Sequence, residues 1–169
     1  MVPALTRRNH LLIDGYNVIH QWPEFASRFH KDPAGTCDQL VETVRVVHDV
    51  DNYQVTVVFD GRGATVDIQH PGEVATFAVL YSPSDLSADG LIEQIVKNAK
   101  DPSRFTVISR DNLIAESIRA SGGYALRPDD LAEWVRRCDE RSRQSINKHQ
   151  RRVKKQWKQS SPWDALDDL

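Results

Sequence analysis

At 169 residues, with 40% hydrophobic and 27% charged positions and a net charge of −2, the sequence has the length and balance of one folded domain with a substantial core. No run of eighteen apolar residues exists, which excludes a membrane-spanning helix, and Asp14 breaks the short apolar run after Arg7-Arg8, so no secretory signal is expected and the cytoplasm is the expected location. Cys37 and Cys138 are too far apart in sequence for a paired metal motif and read as buried thiols, and no HxxxH or HxH spacing links the six histidines, which argues against zinc.

Residues 10–13 read as an apolar strand that stops at Asp14-Gly15. A helix is expected over 36–50, with Leu40, Val44 and Val47 on one side, followed by the β-branched strand QVTVVFD at 54–60, which also ends at an aspartate. ATFAVLYS at 75–82 reads as a further strand. Ser87 is placed to cap the helix ADGLIEQIVKNA, whose Leu91, Ile92, Ile95 and Val96 face a core. RFTVISRD at 104–111 is a strand running into Asp111, and a helix over 112–120 stops at Gly122-Gly123. After a short strand at 124–126, Asp129 or Asp130 opens a last helix that enters a basic tract, and 159–169 is expected to be a flexible tail. Strands separated by helices imply an α/β fold, a central parallel sheet with helices on both faces, and ligands at the carboxyl ends of its strands.

Charge divides the chain. Residues 136–158 carry ten basic groups (Arg136, Arg137, Arg141, Arg143, Lys148, Arg151, Arg152, Lys154, Lys155 and Lys158) against Asp139 and Glu140, a net +8, whereas residues 1–135 carry −7. A solvated helix face needs no such density; lysine and arginine clustered in this way meet phosphates. Three parts are therefore expected: a domain over 1–135, a basic helix extending from it over 136–158, and the tail.

Three strands bring Asp14, Asp60 and Asp111 to one edge of the sheet. Asp89 opens a helix and Glu93 lies one turn on, so these two share a face. Any one of these acids alone is more simply a turn or cap residue. Together in a cleft they would repel one another and raise some of their pKa values. A hard divalent cation, Mg²⁺ or Mn²⁺, relieves that repulsion, and the chemistry such a site supports is phosphodiester hydrolysis.

DGYN at 14–17, VFDG at 58–61, SADGLIE at 87–93 and VISRD at 107–111 resemble, in this order, the YacP-like NYN domain family, and WPEF at 22–25 and the basic C-terminal helix extend the similarity over almost the whole chain. The resemblance implies a three-layer PIN-like fold and a metal-dependent endoribonuclease of a group that includes a ribosome-associated enzyme cutting mRNA. It also implies metal-binding or catalytic roles for Asp14, Asp60, Asp89 and Asp111, with Asn17 as a polar neighbour and Glu93 as a ligand or supporting acid. A Thr-Ser pair often precedes the fourth acid in the family, whereas Ser109-Arg110 does here. Arg110 either pairs with Asp111 or contacts a phosphate.

Arg62, just past Asp60, is placed either to clamp a phosphate or to stay solvated. Trp22 and Trp134 read as packing residues, and Trp157, inside the basic tract, as a packing residue or a platform for a base. The competing function is a non-catalytic RNA- or ribosome-binding module of the same fold, although a polyanion binder gains nothing from a carboxylate cluster. An aspartyl-nucleophile phosphatase needs a second Asp two residues after the first, where Tyr16 stands, and no P-loop or GxGxxG is present.

Overall fold

The computed structural model describes residues 8–159. The tail expected over 159–169 lies, from residue 160 on, outside the described residues. Strands β1 (His10–Asp14), β2 (Gln54–Asp60), β4 (Phe77–Ser82), β5 (Phe105–Ile108) and β6 (Tyr124–Leu126) run parallel, and β3 (Asp67–Gln69) pairs antiparallel with β4. They form one sheet in the order β3-β4-β2-β1-β5-β6. The antiparallel edge strand departs from the all-parallel expectation. Its three residues are all exposed, so it carries no hydrophobic alternation for the sequence to reveal.

Helices α1 (Gly15–Gln21), α2 (Pro23–Phe29), α3 (Pro33–Asp51), α4 (Ala88–Lys97), α5 (Asn112–Ala120) and α6 (Pro128–Gln159) cover the two faces. The period-2 alternation of strand side chains sorts the core. Leu11, Ile13, Val57 and Phe59 pack with α1, α2, α3 and the first turns of α6, whereas Leu12, Val58 and Val107 pack with α4 and α5. The result is a three-layer α/β sandwich.

Helices α1 and α2 occupy a stretch for which the sequence offers no element. Each is seven residues long, and Tyr16, Asn17, Val18 and Ile19 are mediocre helix formers. Tertiary burial of Val18, Ile19 and Phe25, all under a tenth exposed, supplies what local propensity lacks. Pro23 opens α2, where its missing N–H costs nothing. Helix α3 starts at an Asp32 cap followed by Pro33 and ends at Asn52 in the left-handed conformation.

The chain builds from β1 outward through β2 to β4, then returns to the other side of β1 for β5 and β6. The direction reverses between β1 and β5, and it is beside such a switch, at the carboxyl edge, that open α/β sheets bind ligands. Among the described residues, no helix is long and apolar enough to cross a membrane.

Candidate active site

Asp14 ends the central strand and caps α1. It accepts the Asn17 backbone N–H at 3.3 Å and the Asn17 Nδ2 at 2.8 Å, and it is only 4% exposed. The capping explanation is therefore correct, and it does not exhaust the residue. Burial pushes the carboxyl up from 3.8 to about 6, the Asn17 hydrogen bonds oppose that rise, and the charges of Asp89 and Asp60 add to it. A cap with only a structural role would sit in water, as Asp32 does on α3.

Asp60 ends β2 two residues beyond the partner of Asp14 in register, which is Val58. Its Oδ1 accepts the Ala88 N–H at 2.8 Å, tying the end of β2 to the first residue of α4. Asp89, half-buried in the same first turn, accepts the Gly90 N–H at 2.9 Å. The dipole of α4 favours both carboxylates there. Three acids from three elements thus meet at one edge.

Both strand-end aspartates are followed by glycine for a steric reason. A Cβ on Gly15 would stand 2.3 Å from the Phe59 ring, and one on Gly61 would stand 2.1 Å from the Ser82 carbonyl oxygen. The DG pairs mark places where the chain turns against the neighbouring strand.

Asn17 does more than stand beside the acids. While its Nδ2 holds Asp14, its Oδ1 accepts the Arg110 backbone N–H at 3.2 Å, bridging the crevice between β1 and β5. The strand expected over 104–111 stops at Ile108, and Asp111 is exposed. Asp111 caps α5, accepting from Leu113 at 2.9 Å and Ile114 at 3.5 Å. Arg110 is exposed and, among the described residues, makes no ion pair with Asp111. Glu93 is engaged by Lys97 at 2.7 Å and by the Ser117 hydroxyl, and those two hydrogen bonds hold its carboxyl below the usual range. Arg62 is exposed on the loop after Asp60.

Among the described residues, no three His, Cys, Asp or Glu side chains close into a metal-sized group. Asp14, Asp60 and Asp89 offer oxygen donors only, the donor type that a hard cation takes. Mg²⁺ is commonly held by one or two carboxylates with water completing its shell, and a buried carboxyl near pKa 6 flanked by two further charges is stabilised by a cation.

The basic residues divide into two sets. Arg136 is engaged by Glu133 and Glu140, both at 2.5 Å, and Arg141 reaches Asp51 at the end of α3 at 2.7 Å. These two secure the proximal part of α6 rather than offering free charge. Leu131, Val135 and Cys138 pack into the core, so the helix departs from the body after Ser142, later than the expected boundary at 136. From Arg143 to Lys158 every residue is exposed. Arg143, Lys148, Arg151, Arg152, Lys154, Lys155 and Lys158 lie in that stretch, and Arg137 is exposed just before it. Trp22 and Trp134 pack as expected, Trp134 edge-on to Tyr53, whereas Trp157 is 70% exposed. Cys138 is buried as expected and Cys37 only half-buried.

A cavity of about 460 Å³ lined by Trp22, Phe25, Thr43 and Val135 lies among α2, α3 and α6, away from the carboxylates. It takes no part in the site described above.

The family model of the YacP-like NYN domain matches residues 11–168. A crystal structure of Rae1 (YacP) from Bacillus subtilis, in a tryptophan-to-leucine mutant, superposes with a TM-score of 0.68 at 21% identity, covering 83% of this chain and 82% of that one. A second structure of Rae1 (YacP) from Bacillus subtilis gives a TM-score of 0.61 at 21% identity, covering 94% and 87%. No curated protein sequence matches.

Proposed function

This chain belongs to the YacP-like NYN domain family, whose domain is of the PIN-like nuclease type, and from that premise we propose that it is a cytoplasmic, metal-dependent endoribonuclease that cuts mRNA in association with the ribosome. The observation that carries the reading is Asp14, a buried carboxyl at the end of the central strand, raised to about 6 and facing the charges of Asp60 and Asp89. A fold does not keep such a group for stability, since its charged form is costly.

Asp14, Asp60 and Asp89 would hold Mg²⁺ or Mn²⁺, with Glu93 and Asp111 as outer acids. When bound there, such a cation lowers the pKa of water and screens the charge of the scissile phosphate. Asn17 fixes the orientation of Asp14 through Nδ2 and the spacing of the β1–β5 crevice through Oδ1. Arg62 and Arg110, both exposed at the same edge, face the flanking phosphates. The acidic body repels RNA, and the exposed basic residues of distal α6 supply the compensating attraction.

That separation of basic helix from carboxylates also favours a second reading, a binding module without chemistry. Incubation of the purified protein with single-stranded RNA, structured RNA and ribosomes, with Mg²⁺, Mn²⁺ or chelator, separates the two. Cleavage that chelator abolishes supports the enzyme; tight, salt-sensitive binding with no cut under any condition supports the module.

A further inference from the structure

A concavity of about 170 Å³ lies between α3 and the edge strands, lined by Cys37, Asp38, Glu42, Phe59, Gln69 and Tyr81 among others. It is small beside the roughly 300–1,000 Å³ of ordinary small-molecule pockets, and suits one flat ring system. Tyr81 pairs in register with Phe59, one step before the Asp60–Ser82 pair, so the pocket reaches the carboxyl edge that bears the site. The Phe59 and Tyr81 rings stack at 5.9 Å and 28°, and Tyr16 meets Phe59 edge-on at 5.1 Å. Tyr16, two residues after Asp14 in the first turn of α1, thus packs on the ring of a residue that lines the pocket.

The rim is as particular as the floor. Asp38 and Glu42 lie four apart on α3, both exposed, and neither has a hydrogen bond or ion pair among the described residues. Like charges at that spacing weaken a helix, so the fold gains nothing from the pair. Carboxylates accept hydrogen bonds and donate none, and they repel phosphate. A ligand entering here therefore turns a ring with N–H donors toward α3 and keeps its phosphate at the Arg62 side.

Resting on the ribonuclease reading above, we propose that this pocket binds a guanine base of the RNA strand, stacked on Tyr81 with its donor edge toward Asp38 and Glu42. Aromatic stacking accepts any base, so the rim must supply the choice. Guanine presents N1–H and the exocyclic amine side by side, matching two carboxylate oxygens. Adenine and cytosine place a ring acceptor beside their amine, and uracil flanks its single N–H with two carbonyls. Those acceptors face carboxylate oxygen without a proton between them. The pocket would therefore give the enzyme a base preference next to its cutting site.

The test is a metal-free NMR titration of the full chain with the 5′-monophosphates of guanosine, adenosine, cytidine and uridine. Guanosine monophosphate is expected to bind about tenfold more tightly than the others, the discrimination of a good bidentate contact, with shifts at Tyr16, Gln69 and Tyr81. The double variant Asp38→Asn, Glu42→Gln alters two exposed side chains, its folding is checked by a thermal melt, and it should lose the preference. Tyr81→Leu should weaken all four nucleotides alike. Equal affinities, preference for another base, binding of none of the four, or a preference that survives the double variant would overturn the proposal. Guanosine preference without RNA cleavage supports the pocket and ends the nuclease reading, whereas cleavage without base preference does the reverse.

Discussion

Asp14→Asn should make the metal-free protein more stable while removing its proposed activity. Raising a carboxyl from 3.8 to about 6 costs the folded anion about 3 kcal/mol relative to the unfolded chain. Asparagine removes that cost and keeps one acceptor oxygen for the Asn17 N–H. Its amide turns the 2.8 Å contact with Asn17 Nδ2 into a meeting of two donors, a loss of about 1–2 kcal/mol. The net gain is about 1–2 kcal/mol at pH 7.5, or roughly 2–8 °C in Tm for a chain of this size. The pH dependence fixes the cause. The wild-type carboxyl favours the fold fully below 3.8, and that contribution is lost as pH rises through about 6. The variant has no such titration, so its advantage should be full above about pH 7 and turn into a deficit of about 1–2 kcal/mol near pH 4, where only the lost Asn17 contact remains. Urea melts in chelator at pH 7.5 and pH 4 measure both ends. A variant that is less stable at pH 7.5, or whose advantage does not shrink on acidification, would show that Asp14 is an ordinary structural cap.

Three further expectations follow from the same geometry. Gly15→Ala drives a methyl into the Phe59 ring and should cost about 1–3 kcal/mol in urea melts, with Phe59→Leu in the same chain restoring part of the loss. Asn17→Ala keeps the backbone N–H on Asp14 but removes the Nδ2 hydrogen bond that favours the Asp14 anion, so an NMR titration should find that carboxyl above its wild-type pKa of about 6, and cleavage should fall with little change in Tm. Replacing Arg151, Arg152, Lys154 and Lys155 with Gln should leave the melt unmoved and flatten the log–log salt dependence of single-stranded RNA binding by up to about 3, near 0.7 for each phosphate contact; an unchanged slope would mean that this face of α6 is merely solvated.

Strands β2 and β5 were legible because each is a local, β-branched run, whereas β3, short and fully exposed, gave no signal. The helix over 112–120 and the Ser87 cap coincide with the structure for the same reason: their caps are local and their apolar faces periodic. What escaped the sequence depends on contacts distant along the chain. Arg141 reads as free charge until α6 brings it to Asp51, ninety residues earlier. Glu93 shows its Lys97 partner at helical spacing, yet Ser117 arrives only with α5. Asp111 reads as the equal of Asp14 and Asp60 because all three follow apolar runs, but β5 ends three residues short of it, so Asp111, unlike the other two, does not end a strand. The role of Asn17 across the crevice needs the β1–β5 pairing, which no local pattern announces.

The most direct test of the account is single-turnover cleavage of RNA by wild-type, Asp14→Asn and Asp89→Asn proteins in Mg²⁺ or Mn²⁺, each variant first shown to be folded and to bind the RNA as tightly as wild type. Cleavage by wild type alone is expected, abolished by chelator, with a loss of at least about a hundredfold in each variant. Cleavage by both variants at the wild-type rate would contradict it and return these carboxylates to the role of helix caps.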